Sequence, residues 1–354
     1  MKKFDLNGIW RLQGGGYDCE GTIPGSVYAF LLNNNLIEDP YFRDNEKKLT
    51  GIMDNEFEFS RKFNFKKNGC PVLLHCDGLD TVCDIYINGK HIAYTDNMHR
   101  TYEFDVTDAL INGENEIKVN IHPADAYIKD SLKTKGEVFG AGDAMTGFGN
   151  LRKAHCMFGW DWGPRLPDAG IWRDIYLLEK NSVRLTDIHI LQRHENCRVF
   201  VNPKITVDGE CEIKVSCTTP AGEVITLKAN EENEIENPLL WMPNGLGEQH
   251  LYSIKAEIIE NGAVVDEASR RIGLRTLKLV REKDKWGESF CHEINGVRFF
   301  AMGADYIPED NIFSRITEER TRHLMKQCIN CNFNTIRVWG GGYYPDDFFF
   351  YICY

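Results

Sequence analysis

The sequence predicts a multidomain, mainly β chain in which two antiparallel β-sandwiches precede the opening of a parallel α/β unit. Short runs of alternating apolar and polar residues recur through the first two thirds, bounded by Gly, Pro and Asn-Gly turns. No long helical pattern stands out among them. Past residue 277 the pattern becomes strand, helix, strand, helix, the order in which parallel strands are laid down.

The first unit is read as residues 1–179. Asn7-Gly8-Ile9-Trp10-Arg11 is a short strand with an aromatic anchor, and Thr22–Val27 turns into a short helix over Val27–Asn33. Phe57, Phe59, Phe63 and Phe65 alternate with polar residues, the period of a half-buried strand. Val72–Cys76 follows. Thr81–Ile87 and Lys90–Thr95 flank Asn88-Gly89, a pair suited to the positive φ angles of a type I′ hairpin turn. Ile117, Val119 and Ile121 mark another strand, and Ile171–Glu179 closes the unit. Between Ala124 and His155 the strand pattern lapses into a stretch rich in Gly, Lys and Ala, expected to be a long functional connection.

Residues 180–277 form a second β-rich unit, with strands expected at Thr186–Gln192, Arg198–Val201, Glu212–Thr218, Glu223–Leu227 and Leu251–Glu260. Its size and strand spacing fit an immunoglobulin-like sandwich in architecture only, because the Cys…Trp…Cys pattern is missing. Trp241–Gly245 reads as a packing corner. In the third unit, 278–354, Phe290–Ile294 and Val297–Ala301 flank Asn295-Gly296, and Phe299–Gly303 runs on as an apolar strand. Thr317 before Glu318 and Glu319 is a helix N-cap with an acidic first turn. Leu324, Cys328 and Cys331 sit at helical spacing. Asn334–Trp339 is a strand ending in Gly340-Gly341-Gly342, and Tyr343–Asp347 opens a second helix. Two strands do not complete a parallel sheet, so the chain is expected to stop inside a domain.

The net charge of -12, from 41 basic and 53 acidic residues, argues against nucleic acid or an anionic membrane as partner. No run is long enough to span a bilayer, and no apolar segment follows Met1-Lys2-Lys3, so no signal peptide is expected. Twelve scattered cysteines without an export signal suit a reducing cytoplasm. Cys328 and Cys331 lie in a helical pattern with no second ligand pair nearby, so no metal site is expected.

Phe158-Gly159-Trp160-Asp161-Trp162-Gly163-Pro164-Arg165 is the stretch with most chemistry. Two indoles flank a carboxylate, with Gly159, Gly163 and Pro164 shaping the backbone into a loop. Indole faces suit the C–H faces of sugar rings, and a carboxylate accepts from sugar hydroxyls. The reading that residue chemistry alone favours is a buried aromatic corner in which Asp161 satisfies turn amides.

On these and other stretches the chain resembles the family 2 glycoside hydrolases, most closely their β-mannosidase branch. The resemblance rests on Leu6–Trp10, Ile23–Val27, Asp77–Asp80, Phe158–Pro164, Gly170–Arg173, Ile294–Gly296, Gly303-Ala304-Asp305-Tyr306-Ile307-Pro308 and Ile336-Arg337-Val338-Trp339-Gly340-Gly341-Gly342. It implies a jelly-roll sugar-binding domain (1–179), an immunoglobulin-like β-sandwich (180–277) and the start of a (β/α)₈ TIM barrel (278–354). The activity implied is removal of terminal β-D-mannose from β-mannoside oligosaccharides with retention, using no metal and no organic cofactor. Trp160 and Asp161 match the loop that the first domain lends to the active site. Arg152, just upstream, either assists or is a surface charge. Arg337 matches a residue paired with the nucleophile, against a structural ion pair at the barrel rim. Trp339 matches a wall of the sugar subsite, against rim packing. Asp305 and Tyr306 fall where the family often has Asn and Trp, and are expected at the site rim.

Retaining hydrolysis needs two carboxylates about 5–5.5 Å apart. In the family both are glutamates on later barrel strands, so the acid/base and nucleophile are expected beyond Tyr354. Asp346 and Asp347 are read as a helix N-terminus. Three other readings stay open: a non-catalytic carbohydrate-binding module, an interaction protein built on the sandwiches, and a β-galactosidase or β-glucuronidase relative with the same architecture. The expected outcome with purified chain is no hydrolysis of an aryl β-mannoside above background. A turnover in the ordinary enzyme range, about 1–1000 per second, overturns it.

Overall fold

A computed structural model describes residues 2–180 and 183–354. Met1, and Asn181 and Ser182 within the expected second unit, lie outside the described residues. Alternating apolar residues give the first unit two antiparallel sheets. One runs in the order Tyr17–Ile23, Gly8–Gly14, Phe57–Phe65, Gly113–Ile121, Cys83–Ile87, Lys90–Thr95. The other runs Lys2–Asp5, Ile175–Glu179, Val72–Cys76, Tyr102–Asp105. The inward residues of both sheets, among them Leu12, Phe59, Ile85, Val119, Leu74 and Leu177, are fully buried in one core. Asn88 and Gly89 turn their hairpin at φ 51° and 77°, as the pair predicts. The helix Val27–Asn33 starts at Ser26, whose hydroxyl accepts from the Ala29 amide. Its first five residues are all buried, so it plugs the sandwich instead of lying on it.

Residues from Arg184 build a second sandwich. Arg184–Glu195, Arg198–Asp208 and Asn233–Ile235 face Val224–Leu227, Glu212–Thr218, Leu251–Glu260 and Ala263–Gly273 across a core that includes Val201, Val215, Ile254 and Ile258. The third unit opens with Leu277–Val280, Cys291–Ile294 and Val297–Phe299. Gly303–Tyr306 then pairs in parallel with Thr335–Val338, joined through the helix Glu318–Asn330. Thr317 caps that helix by accepting from the Arg320 amide.

Two expectations are corrected. The lapse after Ala124 is not all loop: Ala124–Lys135 is a helix. It has no side-chain cap at Pro123 and buries only Ile128 and Ser131, so neither a start signal nor an apolar stripe advertised it. The apolar strand expected at Phe299–Gly303 breaks at residues 300–302 and resumes at Gly303–Tyr306, because the chain crosses there from an antiparallel sheet to a parallel pair.

Asp168 ties the plugging helix to the end of the hairpin segment. It is fully buried, and its Oδ1 accepts from the amides of Tyr28 (3.1 Å) and Ala169 (2.9 Å). Burial outweighs these bonds and pushes its carboxyl up to about 6. A carboxyl whose folded pKa lies above its unfolded one stabilises the fold below the unfolded value and loses that contribution as pH rises through the folded value. The gap corresponds to on the order of 3 kcal/mol. Asp168→Asn is therefore expected to gain on wild type by about that much between pH 4 and pH 7. Urea unfolding at several pH values checks this, and a difference constant with pH refutes it.

Candidate active site

The hairpin that carries the two indoles is short and closely determined. Phe158–Trp160 pairs antiparallel with Gly163–Arg165, with Phe158 opposite Arg165 and Trp160 opposite Gly163, leaving Asp161 and Trp162 as the turn. Gly159 has φ 100°, a backbone conformation that favours glycine, and a Cβ there would sit tightly against the Asp143 carbonyl at 3.2 Å. Gly163 does not adopt a positive φ, and Pro164 lies within the second short strand instead of ending it. Phe158 is wholly buried at the hairpin base, while Asp161 is exposed at the tip.

The segment just before the hairpin is anchored by a buried charge. Lys153 is 1% exposed; its ammonium pairs with Asp80, 2% exposed, and donates to the Asp168 carbonyl at 2.5 Å. Arg152 beside it forms a parallel bridge with Asn97, and its carbonyl accepts from Met98 N at 3.0 Å. Its side chain is exposed, and among the described residues no contact ties it to Trp160, Asp161 or Trp339. Its charge reaches His155, whose pKa is pulled down by burial first, then by His99 and Arg152.

Trp339 closes the site from the third unit. It leaves the strand Thr335–Val338 with its amide donating to the Tyr306 carbonyl at 3.0 Å. Its ring inserts between the two hairpin indoles, edge-on to both, at 5.1 Å from Trp160 and 5.3 Å from Trp162. The space it needs is left by glycine: a Cβ on Gly341 would fall 2.0 Å from the indole. The Gly341 carbonyl accepts from Cys156 N at 3.1 Å, fastening the glycine run to the hairpin's own stem. Beneath lies one apolar cluster drawn from both units, including Met98, Cys156, Met157, Trp172, Phe313 and Tyr343.

Arg337 stands opposite Asp305 across the parallel pair, and the two form an ion pair of 2.9 Å with both side chains more than half exposed. Tyr306 departs from its expected place at the rim. Strand alternation turns it to the opposite face, where it is buried against Phe349 and Met325 and donates to Glu309 at 2.8 Å. Asp346 stands at the N-cap position but makes no capping bond; it meets Arg173 at 2.9 Å. Arg173 also covers the Trp172 ring. Burial raises the Asp346 carboxyl above its usual range, against Arg173.

Trp160, Asp161, Trp162 and Trp339 are thus brought together, with Arg337 two residues away along the same strand. Tyr41, Asp310 and Asn311 escaped the sequence reading although they frame the hairpin. The available signal was a polar pair, Asp310-Asn311, directly ahead of the apolar Ile312-Phe313. No group of histidine, cysteine and acidic side chains among the described residues is arranged to hold a metal ion.

A family model described as glycosyl hydrolase 2 galactose-binding domain-like matches residues 10–173. One described as glycosyl hydrolases family 2 matches residues 183–275. Among curated relatives, the β-mannosidase of Rattus norvegicus is 30% identical over 99% of this chain and 43% of its own length. The β-mannosidase B of Aspergillus terreus is 34% identical over 94% of this chain and 41% of its own. The crystal structure of the β-D-mannosidase of Dictyoglomus thermophilum superposes with a TM-score of 0.92 at 32% identity, covering all of this chain and 46% of that one. The chain therefore spans less than half the length of these relatives.

The space beside Trp339 yields a test. Gly341→Ala is expected to push the indole out from between Trp160 and Trp162, at a cost of about 1–3 kcal/mol. Acrylamide quenching of tryptophan fluorescence should rise well below the melting temperature; unchanged quenching and stability would show that the ring has another place to go.

Proposed function

We propose that this chain, which belongs to glycoside hydrolase family 2, forms the sugar-orienting part of a β-mannosidase that releases terminal β-D-mannose with retention. The observation that carries the reading is the meeting of Trp339 with the Trp160–Trp162 hairpin, which sets an exposed carboxylate beside half-buried indoles at the end of a parallel strand. On this reading residues 1–179 are a jelly-roll sugar-binding domain and 180–277 an immunoglobulin-like domain. Residues 278–354 begin a (β/α)₈ barrel, in support of which two parallel strands are joined through a helix. Barrel enzymes react at the C-terminal ends of their strands, and Trp339 leaves its strand at that end.

Retention proceeds in two displacements. One carboxylate attacks the anomeric carbon while the other protonates the departing oxygen; water then releases the sugar as the second group takes its proton. The residues proposed here orient the substrate for that exchange. Asp161 accepts from hydroxyls of the terminal mannose, and Trp160 and Trp339 bound the ring. Arg337 lies beside the nucleophile and favours its ionised form; the ion pair with Asp305 holds the guanidinium in place. Arg152, exposed just upstream of the hairpin, assists in holding the sugar. Asp346 takes no part, being held by Arg173.

Titration of the chain with methyl β-D-mannopyranoside, followed by tryptophan fluorescence, is expected to give a saturable change that methyl β-D-galactopyranoside does not. Asp161→Ala should weaken the response about 10- to 100-fold, the worth of hydrogen bonds to a charged acceptor. Equal responses to the two sugars, or binding indifferent to Asp161, would end the mannoside reading.

A further inference from the structure

The structure assigns Asn311 as the positioning residue that sets the Trp160–Trp162 hairpin in register with Trp339. The inference rests on the reading of that hairpin as the sugar-contacting element. Asn311 is 3% exposed. Its Nδ2 donates to the Pro164 carbonyl at 2.9 Å, two residues past the turn that carries Asp161 and Trp162. The amide lies against Gly163, whose missing Cβ would come 3.5 Å from Asn311 Oδ1.

Asn311 is itself held by a relay that starts in the first sandwich. Its backbone amide donates to the Tyr41 hydroxyl at 3.0 Å, and that hydroxyl donates to Asp310 Oδ1 at 2.6 Å. Asp310, 6% exposed, also accepts from the Ile312 amide at 2.9 Å, and its Oδ2 faces Arg315 at 3.0 Å and Arg320 at 3.4 Å. The loop after the first parallel strand is thereby pinned to one side chain of residues 1–179 while it grips another segment of the same unit. A single neutral hydrogen bond adds little beside the apolar area buried under Trp172 and Phe313. Apolar burial holds the units together but is indifferent to small slides, whereas a directed bond to one carbonyl is not. Proline gives that strand a carbonyl and no N–H, so a donor is what the position needs. An aspartate would set acceptor against acceptor.

The test reads hairpin placement with no sugar present, so its failure and that of the mannoside reading are separable. Indoles as close as Trp160, Trp162 and Trp339 couple their transitions and give a split circular-dichroism band. The relevant component is the part that a Trp339→Phe chain lacks. Asn311→Ala and Asn311→Leu are each expected to lose more than half of that component while melting cooperatively. Ser314→Ala, which removes the contact with Ser26 at 3.4 Å on the same junction, should keep it. Asn311→Leu keeps close to the volume and removes the donor without adding a charge, so it decides the question even where the alanine variant fails to fold. A full couplet in Asn311→Leu would show that the position needs volume only. An equal loss in Ser314→Ala would show general loosening of the junction. Either result overturns the assignment.

Discussion

The ammonium of Lys153 is the constraint on which the arrangement of this chain depends. A buried, isolated charge is untenable, and removing one partner of a buried pair costs about 3–5 kcal/mol. Lys153 therefore has to meet Asp80 and the Asp168 carbonyl together. Asp80 lies on a short strand paired with Gly170–Ile171, and Asp168 holds the N-terminal turn of the plugging helix. Three segments far apart in sequence are thus drawn to one point, and the chain leaves that point directly into the hairpin. A hydrophobic residue of similar size would fill the volume without selecting those partners.

Above this anchor the apolar groups complete the assembly. Cys156 and Met157 follow Lys153 by a few residues and enter the cluster that Trp172, Phe313 and Tyr343 share. The hairpin stem is consequently rigid at its base and committed on one flank to the third unit, while its tip stays open to solvent at Asp161. The packing reading of the Trp-Asp-Trp stretch is realised in part. Trp162 packs against the shared cluster, while Trp160 stays half-buried and Asp161 exposed.

Local signals carried most of the fold into the sequence. Asn88-Gly89, the alternating phenylalanines of Phe57–Phe65, and Thr317 with its acidic first turn each specify structure within a few residues. Ala124–Lys135 was illegible because its cap and apolar face are weak. Ala263–Gly273 was missed, although the Asn-Gly pair directly before it is a hairpin-turn signal. As an edge strand it leaves most side chains exposed and so lacks a clear alternation. Within the site the residue types were legible but their meeting was not. Nothing local says that Trp339 reaches Trp160, or that Asn311 reaches Pro164. The resemblance to a known family supplied the first of these pairings and not the second.

That distance in sequence has a consequence for biogenesis. Roughly 180 residues separate Trp160 from Trp339. At synthesis rates of about 5–20 residues per second, the hairpin emerges some 9–36 seconds before the ring that packs between its indoles. Over that interval the first sandwich can already be folded, with Met98, Cys156, Trp162 and Trp172 uncovered on one side. The nascent chain therefore carries a sticky apolar face that belongs to no error of folding. The face that later packs against the third unit is, for a time, one that a chaperone has reason to bind.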